Sequence, residues 1–87
     1  MEGKKTRVNN LILQVVENQL QDKTPPEAAQ VFEKLVGEGY SEVDSKHLIG
    51  SAIVAEMRNV VQTGKPFNAE RYVGLLVKLP ELPTETV

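Results

Sequence analysis

Residues 41–64 read SEVDSKHLIGSAIVAEMRNVVQTG, and how this run folds decides the architecture. Val43, Ile49, Ile53, Met57, Val60 and Val61 keep helical phase as far as Thr63. The spacing predicts a helix over 42–63, roughly 22 residues and about 33 Å at 1.5 Å rise per residue. Ser41 stands where an N-cap is needed, and Asp44 puts a carboxylate in the first turn, at the positive end of the helix dipole. Gly64 and Pro66 stop the run. Leu48, Ala52 and Ala55 form a second, smaller apolar stripe at i, i+4 and i+7. A helix with two faces to bury is either the centre of a bundle or the seam of a dimer, which makes Leu48, Ala52 and Ala55 the candidate interface. Gly50 lies in the apolar arc and costs about 1 kcal/mol against alanine, so close approach of another helix is expected there.

Working outward, Val8, Leu11, Ile12, Val15, Val16 and Leu20 recur at three- and four-residue spacing and predict a first amphipathic helix over 6–22. Asn9 and Gln19 fall inside its apolar arc, where a buried amide needs a hydrogen-bond partner. In TPPE, Thr24 reads as N-cap, Pro25 as the first helical residue and Glu27 as the return half of a capping box. The second helix, over 25–38, carries Ala28, Val31, Phe32 and Leu35 and ends near Gly39, which lets Tyr40 fold back towards Leu35. Asn68 caps a fourth helix over 69–79 with Tyr72, Val73, Leu75, Leu76 and Leu79, and Phe67 can staple onto Tyr72. Pro80 ends it, leaving 80–87 as a flexible tail. The expectation is a single all-α domain over 1–87. It is a four-helix, bundle-like fold in long-short-long-short order, two helical hairpins with the third helix central. Glu17, Pro26 and Leu35 have counterparts in Glu56, Pro66 and Leu75, too few for a sequence repeat.

Composition narrows the function. Twelve acidic and ten basic side chains are mixed along 87 residues for a net charge of −2, which gives no footprint for phosphate backbones or anionic lipid. The chain has no cysteine, which excludes disulfides, thiolate metal sites and thiol nucleophiles and fits a reducing cytoplasm. The basic start MEGKKTR is not followed by a signal-peptide apolar region, and Leu11–Val16 is too short to span a bilayer. With two Phe, two Tyr and no Trp, stacking platforms for bases or sugars are not expected.

His47, the only histidine, sits on the flank of the third helix with Asp44, Ser51 and Arg58. Glu56 lies about 180° round the same helix and about 13.5 Å along it, so the two cannot share one metal ion. His47 can pair with Asp44 or Ser51 on its own helix, or share a ligand with Glu17 on the first. Glu17 and Glu56 otherwise read as solvated or salt-bridged helix edges, because the Glu-x-x-His motifs of di-metal bundles are missing. The corner LVGEGYS, Gly39 to Ser41, has the outline of a helix-turn-helix turn or of a ubiquitin-associated loop. Ser45 stands where the first requires an apolar residue and Glu42 and Asp44 would repel phosphate, while the third helix is too long for the second.

Taken whole, VENQLQDKTPP, LVGEGYS, HLIGS and GKPFNAERYVGLL over residues 8–79 resemble a poorly characterised bacterial family of small helical domains of unknown function. That family's pattern, His-x3-His-x3-Glu-x-Gln with a later histidine, implies a divalent-metal constellation. This chain has Asn9 and Leu13 at the two histidine positions and keeps Glu17, Gln19 and His47. The expectation is a non-catalytic interaction module that binds protein, including itself, and not nucleic acid or membrane, with no cofactor. The alternative is a divalent-metal or small-ligand domain using Glu17 and His47. No nucleophile–base pair or phosphate loop supports an enzyme.

Overall fold

The computed structural model describes residues 10–81. They form α1 (Asn10–Asp22), α2 (Pro26–Gly37), α3 (Glu42–Thr63) and α4 (Ala69–Lys78), an all-α arrangement with no strand among the described residues. Residues 6–9 of the expected first helix, Asn9 among them, and residues 82–87 of the tail lie outside the described residues. α3 packs against all three other helices, as a central helix should, but so does α2. The middle of the fold is therefore the α2–α3 pair, with the backbones of α1 and α4 apart from each other.

The helix ends follow from local chemistry. Ser41 Oγ accepts the Asp44 backbone N–H at 3.0 Å, and Asn68 Oδ1 accepts that of Arg71 at 2.9 Å, so α3 and α4 begin at the expected caps. Phe67 and Tyr72 meet edge to face with ring centroids 5.6 Å apart, which makes the expected staple. At the end of α2, Gly39 takes φ 107°, Gly39 N–H donates to Val36 O and Tyr40 N–H to Leu35 O. This double closure turns Tyr40 back onto the core beside Leu35.

The start of α2 differs from expectation. Pro25 is the N-cap in extended conformation, the helix begins at Pro26, and no side chain caps it. The reason is steric: a residue before proline is disfavoured in the α region, so Pro26 keeps Pro25 out of the helix and moves the start one residue on. Thr24 is then too far upstream to cap, and its hydroxyl donates to Asp22 O at 3.2 Å instead.

α1 closes in the same way as α2 but without a glycine. Thr24 N–H donates to Gln19 O, and Lys23 sits in the left-handed region at φ 56°. A Cβ in that conformation costs about 1 kcal/mol, because only glycine adopts it freely. Lys23→Gly is expected to raise stability by about 0.5–1 kcal/mol, read as a higher urea midpoint at unchanged m-value. An unchanged or lower midpoint would show that the lysine is not strained there.

The core draws on every helix: Val16 from α1; Ala28, Val31 and Leu35 from α2; Ile49, Ala52 and Ile53 from α3; Tyr72 and Leu76 from α4, with Leu79 at its end. Lys34 on α2 donates to Leu79 O at 3.0 Å, placing a cation at the negative end of α4. The rotation of α3 is the main departure from the sequence pattern. Its buried face falls between the two apolar stripes and takes in Ser45 and Glu56. Val43, Met57 and Val61, all on the larger stripe, are left 63%, 45% and 81% exposed.

Candidate functional site

The most densely bonded polar group in the fold is at the α3–α4 corner. α3 ends at Gly64, whose φ of 73° reverses the chain, and the short link to Asn68 brings the start of α4 back beside the last turns of α3. Glu56, only 1% exposed, meets it there. Its Oε2 accepts Asn68 N–H at 2.9 Å and Arg71 Nη2 at 3.1 Å, while Oε1 accepts Arg71 Nε at 2.9 Å. With its amide turned so that oxygen faces the guanidinium, Asn59 accepts from Arg71 Nη2 at 2.7 Å and Nε at 2.8 Å. The Arg71 side-chain hydrogen bonds hold the Glu56 carboxyl below the ordinary carboxylate range, although burial pushes it up; Asn68 N–H and Asn59 act in the same direction as Arg71. One buried carboxylate thus satisfies an open N–H of the α4 start and fixes the angle between two helices.

A second polar link joins the two outer helices. Tyr72 OH donates to Gln19 Oε1 at 2.6 Å, which gives the half-buried Gln19 amide the partner its place in the apolar arc of α1 demands. Burial pushes the Tyr72 phenol well above its ordinary range. No buried side-chain nitrogen or oxygen among the described residues lacks a partner.

The residues singled out from sequence fall as follows. Glu17 is exposed and pairs at 3.0 Å with the ammonium of Lys46, the neighbour of His47. α1 and α3 do come together here, but the cation that Glu17 meets is a lysine. His47 is half-buried, and Ser51 Oγ donates to its backbone carbonyl at 3.1 Å, a bond within the helix that does not involve the imidazole and so is not the expected side-chain pair. Among the described residues no group of three or more His, Asp or Glu side chains is placed to hold a metal ion. Ala52 is completely buried in the core, Leu48 is half-buried and packed against that core, and Ala55 is half-buried. Of the two uses open to the second stripe of α3, the fold employs it as the inside of one protomer. Ala52 therefore has no surface to offer a dimer seam within this fold, while Leu48 and Ala55 keep part of theirs outside. Gly50 is buried, on the edge of α3 that Lys46 shares with α1.

Of the two readings of Glu56, solvated or salt-bridged, the structure has the salt bridge, but its burial and its partners Arg71 and Asn68 are not legible in the sequence. A glutamate among apolar residues signals a buried charge only if its partner is known, and Arg71 lies 15 positions away with no helical register linking the two. What α3 leaves outside is an arc containing Val43, His47, Val54, Arg58 and Val61, all exposed or half-buried. A shallow open hollow lies over Lys65–Arg71 beside the half-exposed Phe67. No helix among the described residues is long and apolar enough to cross a membrane. No family model, curated protein or solved structure matches the chain.

Proposed function

We propose that this chain is a non-catalytic helical interaction module that works in the cytoplasm and associates with protein, first of all with itself. The observation that carries the reading is the outward side of α3, where Val43 and Val61 stand 63% and 81% exposed at opposite ends of the longest helix. Large aliphatic side chains in that position are what a partner surface would cover. The buried polar groups support the same reading, since Glu56 and Tyr72 hold helices together and Ser45 bonds the Ser41 carbonyl at the start of its own helix. The cytoplasmic setting rests on a chain without cysteine, and the exclusion of nucleic acid on its mixed charge. The resemblance of its caps and turns to small helical bacterial domains of unknown function is in keeping with this reading. Sedimentation velocity over a micromolar concentration series tests the reading. A concentration-dependent shift from monomer to dimer is expected, and a strict monomer throughout would overturn self-association.

A further inference from the structure

We propose, resting on that interaction reading, that two copies pair antiparallel along the outward face of α3, about a two-fold axis near position 52. Taken at 100° per residue, Val43, His47, Val54, Arg58 and Val61 lie within about 60° of one another. They are on the side of α3 away from the buried Ser45, Ala52 and Glu56. Val43 and Val61 share one azimuth, a whole number of turns apart and about 27 Å along the axis. Their midpoint is position 52, so an antiparallel copy sets Val43 against the partner's Val61 at both ends of the seam.

Charge selects the same arrangement. Glu42 and Asp44 are in the first turn of α3, just after Glu38 at the end of α2, whereas Arg58 and Lys65 mark the other end. Asp44 and Arg58 are on one flank, nearly equidistant from the midpoint. An antiparallel pair therefore places Asp44 beside the partner's Arg58 twice, while a parallel pair would stack acid on acid and base on base. Val43 and Val61 exchange places about this axis and Asp44 comes within two residues of the partner's Arg58, and it is this match that identifies the occupant as a second copy. A seam about 33 Å long and 10 Å wide buries a few hundred Å² per partner, at or below the low end for specific interfaces. The dimer is therefore weak and forms in the micromolar range or above.

The absence of cysteine makes the test direct, because introduced thiols are the only ones present. Val43→Cys and Val61→Cys, mixed and treated with a short bis-maleimide, are expected to form a cross-linked dimer. Neither variant alone should cross-link, since like positions in the antiparallel pair are about 27 Å apart. Cross-linking of each variant with itself would mean a parallel pair and overturn the proposal. In sedimentation, Asp44→Arg and Arg58→Asp are each expected to weaken the dimer about tenfold, and the double variant to recover most of the loss. Circular dichroism confirms that each variant is folded. A dimeric wild type with neither mixed cross-link nor charge-swap recovery overturns this surface and leaves the interaction reading standing. A wild type monomeric at every concentration overturns self-association itself.

Discussion

Replacing Glu56 by alanine is expected to destabilise the protein by about 3 kcal/mol, with a fall in Tm of more than about 10 °C. Removing one partner of a buried ion pair costs about 3–5 kcal/mol, because the other polar groups lose their match in a place water does not reach. Here the Arg71 side chain is 43% exposed and can rehydrate, which sets the expectation at the low end. Asn68 N–H also loses its acceptor, and with it the tie that holds the start of α4 to α3. The loss should depend on pH. Because the folded protein holds the Glu56 carboxyl below its ordinary value of 4.5, the unfolded chain binds a proton first as pH falls. The pairing thus contributes fully at neutral pH, and the contribution disappears as pH drops below 4.5 through the depressed folded value. Glu56→Gln, which keeps the shape but not the charge, should be clearly less stable than wild type at about pH 7, with the gap narrowing progressively as pH falls below 4.5. Urea unfolding of both proteins across that range is the measurement. A gap of the same size at both ends would show that the carboxylate charge does not hold the corner.

The parts of this fold that could be read from sequence are those fixed by neighbouring residues. Ser41, Asn68, Gly39 and Gly64 act within one turn of where they stand, so the limits of α3 and the start of α4 follow from residue type alone. Pro26 acts locally too, but on the residue before it, and the Thr24 capping box fails because two prolines in succession leave only the second inside the helix. The rotation of α3 is of another kind. Hydrophobic periodicity points to the side with Val43, Met57 and Val61, whereas the fold buries the side with Ser45, Ala52 and Glu56. Periodicity weighs each side chain by its own affinity for water. It cannot register that Glu56 is matched by Arg71, or that the Ser45 hydroxyl donates to Ser41 O at 2.8 Å. With those groups paired, Ala52 is fully buried in the core while Val43 and Val61 stay outside. Glu17, which the alternative reading sets with His47 across α1 and α3, pairs with the neighbouring Lys46. The two helices meet there, but a rotation of about 100° between neighbouring residues decides whether Lys46 or His47 is presented to Glu17.

The sharpest consequence of that rotation lies at Ala52. Ala52→Glu is expected to cost about 4 kcal/mol or more and to leave the chain largely unfolded, because taking a carboxylate out of water costs several kcal/mol when nothing pairs with it. Ala52 has no exposed surface and is packed in the core with Ile49 and Ile53, with Leu48 alongside. A longer side chain there would also have to displace those neighbours. Val61→Glu places the same charge on the same helix, at a position 81% exposed, and should change monomer stability by no more than about 0.5 kcal/mol. Its effect should appear instead as weaker association. The two variants therefore separate the two uses of α3. If the second stripe were a seam between protomers, Ala52→Glu would yield a folded monomer. If the outward arc is the seam, Val61→Glu yields the folded monomer and Ala52→Glu no folded protein. Circular dichroism and sedimentation of the two, side by side, distinguish these outcomes without a structure of the dimer.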